Sequence, residues 1–160
     1  MTYAGLFAFI SGSSFVIQGH FGLGPTAFAI AFGVMVLGYI LGTLVAQKVV
    51  VRRGSLKAIE IGVWLQAAGG LVMLVCSIVI PQALAGLAVP MAIYAMGVGF
   101  TLPQSAAGAL MPFPEKAGSV SSLLGILQMG FAALIGVIVG AFVARTPVAL
   151  TGMTALMGLL

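Results

Sequence analysis

Three sets of polar side chains in this sequence could do chemistry, and each falls along one face of a long apolar run. At about 100° per residue, Tyr3, Phe7, Ser11, Ser14 and Gln18 share a narrow arc. Tyr94, Gly97, Thr101, Gln104, Ser105 and Gly108 share a second, and Ser121, Gly125, Gln128 and Ala132 a third. Aromatic, hydroxyl and amide groups without fixed charge suit the binding of small, varied, neutral molecules. Apolar contact gives area, and a few hydrogen bonds give orientation. The competing reading is structural, because Ser, Thr and Gln hydrogen bonds also hold apolar helices together. A single serine favours that role. Gln18, Gln104 and Gln128 are open to either, since a buried amide needs several partners and water can supply them.

Catalytic chemistry has little to work with. One cysteine and one histidine exclude a disulfide framework and a closed zinc site of Cys and His ligands, which needs four. No aspartate is present, so in a serine triad only Glu60 or Glu115 could stand in as the acid. Paired-carboxylate hydrolysis would need those two to meet, and they fall in segments at opposite helix ends. Glu60 lies beside a basic loop near a predicted helix start, where it suits the dipole and can pair with Lys57 or Arg53. Glu115 reads the same way. Cys76 reads as a small buried apolar residue, and Trp64 as either an interfacial anchor or core packing. No acid lies deep in an apolar run, so the chain carries no proton relay of its own. No enzyme, cofactor or metal is expected.

The elements that carry these residues are set by composition. The chain has 160 residues, 62% hydrophobic and 5% charged, where a soluble domain carries about 25% charged. A membrane-spanning helix takes roughly 20 apolar residues, so about six fit. The breaks fall accordingly, at Gly19 to Pro25, Lys48 to Lys57, Pro81-Gln82, Pro112 to Lys116 and Arg145-Thr146-Pro147. They predict helices over about 3–18, 26–49, 56–80, 83–111, 117–143 and 148–160. The runs are long and do not alternate, which argues against a membrane barrel. The first helix lacks a basic start and a small-residue cleavage pattern, so it does not read as a signal peptide. The last is short at ~20 Å against a ~30 Å core, and both ends look cut.

Charge gives orientation. Lys48, Arg52, Arg53, Lys57 and Lys116 fall on one side, with Arg145 and His20 on the other. The side richer in Lys and Arg is cytoplasmic, which places both termini in the cytoplasm. Topology accounts for the basic cluster, so no nucleic acid partner is expected. Gly38 and Gly42, continued by Ala46, and Gly136 and Gly140 form rows that permit close helix contact. Pro90 and Pro103 each remove a backbone donor from the fourth helix.

The segment Leu102 to Gln128 resembles the major facilitator superfamily. More narrowly it resembles drug:proton antiporters of the bicyclomycin and chloramphenicol resistance (Bcr/CflA) type. The most specific part is Pro112-Phe113-Pro114, then Ala117-Gly118, then Ser121. Tyr3 to Phe15 is similar to that family's seventh helix, and Leu65-Gln66-Ala67-Ala68-Gly69-Gly70 to its ninth. The resemblance covers essentially the whole chain, as the second half of a twelve-helix transporter with the last helix truncated. It implies an all-α half-bundle of 3+3 inverted repeats that rocks against a first half. The first, second, fourth and fifth helices would line a cavity, with the third and sixth peripheral. Substrate contacts would fall on Tyr3, Phe7, Ser11, Gln18, Tyr94, Thr101, Gln104 and Gln128. The two halves would pack at Gly38, Gly42, Gly136 and Gly140. Gly42 and Arg52-Arg53 echo the superfamily's signature loop, but Ala46 and Gln47 supply no acid.

The function implied is efflux of small amphipathic drugs from the bacterial inner membrane. Protons would be carried by the first half, membrane lipid would surround the chain, and this chain alone would be inactive. The alternatives are an independent, self-associating six-helix membrane protein, or half of a metabolite or sugar carrier of the same superfamily.

Overall fold

The computed structural model describes residues 25–79 and 84–143. The predicted helices over 3–18 and 148–160, and the breaks near Gly19, Pro81 and Arg145, lie outside the described residues. Within them the chain is helical and contains no strand. Helix α1 spans Pro25–Arg53, α2 Ser55–Val79, α3 Leu84–Leu110 and α4 Ala117–Val143. A 3-10 turn, Pro114–Lys116, precedes α4.

Each boundary has a local cause. Pro25 opens α1, where its missing N–H costs nothing. Gly54 closes α1 with a φ of 83°, a conformation that glycine adopts without steric penalty. Its N–H donates to the Val50 carbonyl at 2.9 Å, capping the helix. This residue alone separates α1 from α2. The basic stretch from Lys48 to Lys57 predicts a helix end at residue 49. The backbone continues to Arg53 because nothing before Gly54 disfavours it, so Lys48, Arg52 and Arg53 stand on a helix rather than in a loop. At the end of α3, Pro112 and Pro114 forbid continuation. Phe113 instead donates to the Leu110 carbonyl at 3.0 Å.

Among the described residues, three helices are long and apolar enough to cross a membrane, over Phe28–Arg53, Ser55–Cys76 and Pro114–Val137. In lipid there is little hydrophobic drive between helices, so close packing must hold them together. Here α3 lies between α1 and α2 and packs on both, while α1 and α2 touch each other far less. Small residues make this possible. A Cβ added at Gly38 would overlap the Ala92 carbonyl, and one at Gly42 the Met96 carbonyl. On the other side, a Cβ at Gly97 would sit 2.6 Å from the Gly62 carbonyl. The register shows that α1 and α3 run parallel and α2 antiparallel to both, as consecutive crossings require.

Two apolar clusters line these seams. One joins Ala31 and Met35 of α1, Met73 of α2, and Met91, Tyr94, Ala95 and Val98 of α3. The other joins Ala46, Ala58 and Phe100. The same topology gathers Lys48, Arg52, Arg53, Lys57 and Lys116 at one end of the bundle, as the sequence reading expects from charge alone.

Helix α4 is different. It meets α3 sparsely, and Leu123, Ile126, Leu127, Met129, Phe131, Leu134 and Val137 all face outward. Ala132 is its buried apolar residue among those described.

Candidate functional site

The polar stripe of α3 divides into two parts. Tyr94 and Thr101 are buried, at 1% and 4% exposure, in the seam with α2. Gly62 and Gly69 make that seam tight. A Cβ on Gly62 would lie 2.5 Å from Thr101 Cγ2, and one on Gly69 would lie 2.7 Å from the Tyr94 nitrogen. Into the gap between these glycines comes Gln66, itself 3% exposed. Its Nε2 donates to Thr101 Oγ1 at 2.9 Å and to its own helix at the Gly62 carbonyl, 3.3 Å away. Thr101 Oγ1 lies 3.2 Å from the Gly97 carbonyl, so its proton points back along α3 while a lone pair accepts from Gln66. Thr101 therefore serves as a hydrogen bond between helices. Two turns earlier, the Tyr94 hydroxyl is buried and has no hydrogen-bond partner among the described residues.

The second part lies toward the C-terminal end of α3. Gln104 is half-buried, and Ser105 and Gly108 are exposed. The Ser105 hydroxyl donates to the Thr101 carbonyl at 2.8 Å. On α4, Ser121 and Ser122 each donate to the Gly118 carbonyl at 2.9 Å, and Gln128 is half-buried. Serines that bond back to their own helix offer little donor capacity outward. Gln104 and Gln128 are the half-buried amides of these two stripes. Tyr3, Phe7, Ser11 and Gln18 lie outside the described residues.

The remaining candidates are placed as follows. The close-approach face of Gly38 and Gly42 is filled by α3 of this same chain, which takes the surface that the resemblance reserves for a second half. A side chain at Gly136 would meet nothing within 4 Å, and Gly140 lies in the last turns of α4. Glu60 Oε2 accepts from Lys57 Nζ at 2.6 Å in an exposed pair. Trp64 is 71% exposed, which removes the core-packing option. Cys76 is half-buried, not buried, with a free thiol. Among the described residues, no three of His, Cys, Asp or Glu gather to hold a metal ion.

Gln66 is the site residue that polarity alone should have flagged. It is an amide in the middle of a spanning run, four residues after one glycine and three before another. Its importance is set by Thr101, 35 positions away, and no local pattern reports that.

Comparison with known proteins gives a relative over most of the chain. Across 140 residues, 86% of this chain, the sequence is 30% identical to YdgK, an uncharacterised MFS-type transporter of Bacillus subtilis strain 168. The match covers 34% of that protein, so the chain spans about a third of the relative's length. No family model matches the sequence, and no solved structure matches it. The long apolar helices fit a multi-pass membrane protein, and the relative that the chain matches over a third of its length is described as a transporter.

Proposed function

We propose, taking as premise the membership of the major facilitator superfamily that this similarity supports, that the chain is the second half of a drug efflux carrier. The carrier would be of the Bcr/CflA type, exchanging small amphipathic drugs for protons across a bacterial inner membrane. The observation that carries the reading is a 30% identity sustained over 86% of the chain, running through the Leu102 to Gln128 segment that resembles those antiporters. Gln104 and Gln128 are the substrate contacts on α3 and α4, joined by Tyr3, Phe7, Ser11 and Gln18 of the segment expected from sequence to be a helix over 3–18. Tyr94 and Thr101 support α3 from behind by fixing it to α2. The basic end is cytoplasmic. The proton-carrying acid belongs to another part of the carrier, as does the wall that meets α4.

The test is drug resistance in an efflux-deficient bacterium. One strain expresses this chain alone, and another the complete reading frame that contains it. Resistance is expected only from the second, and collapse of the proton gradient should abolish it. Robust resistance from the chain alone refutes the half-carrier reading; none from the complete frame refutes the drug reading.

A second reading draws on the apolar outward face of α4. In it, two copies cover that face in an independent membrane protein. Crosslinking in native membranes separates the two, since a homodimer favours self-association and a heterologous partner favours the carrier.

A further inference from the structure

The end of α1 carries a groove that substrate transport leaves unused. Val45, Val49 and Ile61 form its apolar floor, and Lys48, Arg52 and Arg53 its basic rim, around a volume of about 230 Å³. An adjoining hollow shares Lys48 and Arg52 and adds Gln47 and Val51. The spacing makes this surface: residues 45, 48, 49, 52 and 53 follow one helical face, and Ile61 arrives on α2 across the single-residue turn at Gly54.

The charge there is uncompensated. The acids among the described residues are Glu60 and Glu115, and neither lines the groove. Glu60 is already held by Lys57 at 2.6 Å. The end of α1 contributes roughly half a negative charge, against three cations. Part of the need for Arg52 and Arg53 is met by that dipole, but a surplus of more than two charges remains. Beside it, Val51 and Leu56 are 87% and 83% exposed. Cations and bare aliphatic side chains share one patch at the end of two spanning helices.

We propose that this groove binds the headgroup of an anionic phospholipid. The Arg52 and Arg53 guanidinium groups each present paired N–H donors that match phosphate oxygens, and Lys48 adds a point charge. The aliphatic floor takes the glycerol-ester end of the lipid, which a free phosphate would leave in contact with water. Basic pockets between spanning helices at the membrane surface recognise lipid headgroups in this way. The inference rests on the membrane-spanning reading and is independent of the drug reading.

The test uses the purified full chain equilibrated with mixed phosphatidylglycerol and phosphatidylcholine, with retained lipid counted by native mass spectrometry. The wild type should keep phosphatidylglycerol in preference. R52Q/R53Q should lower that retention by about fivefold for each cation removed, and R52K/R53K should restore only part of it, because lysine returns the charge without the paired donors. K116Q removes a charge from the same end of the bundle outside the groove and should change nothing. Circular dichroism confirms that each variant keeps its helix content. The proposal fails if R52Q/R53Q retains phosphatidylglycerol as the wild type does. It also fails if K116Q loses as much, if phosphatidylcholine is held equally, or if excess inorganic phosphate displaces the lipid.

Discussion

Gln66 and Thr101 are 35 residues apart and share a hydrogen bond of 2.9 Å inside the bundle. Each is almost completely buried, and each also bonds to a carbonyl of its own helix. The pair therefore pins α2 to α3 at one height. Thr101→Val should leave the Gln66 amide short of an acceptor and lower stability by about 1 kcal/mol. Gln66→Leu combined with Thr101→Val removes both groups and should recover part of that loss. Reversible unfolding in mixed micelles measures both. If the single and double variants were equal in stability to the wild type, the bond would have no net worth.

Gly42 and Gly33 lie on the same helix in opposite circumstances. A Cβ at Gly42 would overlap the Met96 carbonyl, whereas one at Gly33 meets nothing within 4 Å. Gly42→Leu should drive α1 away from α3, at a cost of roughly 1–3 kcal/mol. Gly33→Ala should be neutral or stabilising by up to about 1 kcal/mol, because alanine has the better helix propensity. Thermal unfolding of the two variants side by side should show a loss for Gly42→Leu and none for Gly33→Ala.

Trp64 is the chain's one tryptophan and is 71% exposed on α2. Its fluorescence should be strongly quenched in vesicles of brominated lipid and little affected by aqueous iodide. The reverse pattern would mean that this face of α2 meets water or protein, not acyl chains.

Glu60 pairs with Lys57 across an exposed gap of 2.6 Å. Exposed pairs of this kind contribute about 0–0.5 kcal/mol. Glu60→Gln should therefore leave stability nearly unchanged, and in the complete carrier it should not move the pH profile of transport. A shifted profile would make Glu60 a proton carrier.

Gln128 is half-buried on α4, and its amide is one of the proposed drug contacts. In the complete carrier, Gln128→Ala should weaken drug binding by about 1 kcal/mol, roughly fivefold in half-saturating concentration. Ser121→Ala should do far less, because that hydroxyl is bonded to the Gly118 carbonyl. Equal effects would remove the distinction.

Much of the scaffold was legible without coordinates, for a physical reason. In lipid, backbone groups must be satisfied within the segment, so length and hydropathy leave helices as the solution for an unalternating run. The break at Pro112 to Pro114 acts through local backbone geometry, which composition exposes directly, whereas the break expected over Lys48 to Lys57 narrows in the structure to Gly54. The extra turn of α1 through Arg53 was missed because apolarity marks where a membrane ends and says little about where a helix ends.

The facing of helices is another matter. By itself the sequence determined, within the described residues, the helical runs, the gathering of cations at one end, and which faces carry amides and hydroxyls. It could not decide what those faces meet. A glycine row reads identically whether it contacts another half or a neighbour in the same chain, and the tertiary structure assigned Gly38 and Gly42 to α3. A threonine on a polar stripe reads identically as ligand contact or helix fastening, and Gln66 decided it for Thr101. Both answers depend on the rotation of one helix against another. That rotation is set by the sum of close contacts across the seams, so no single helix carries it.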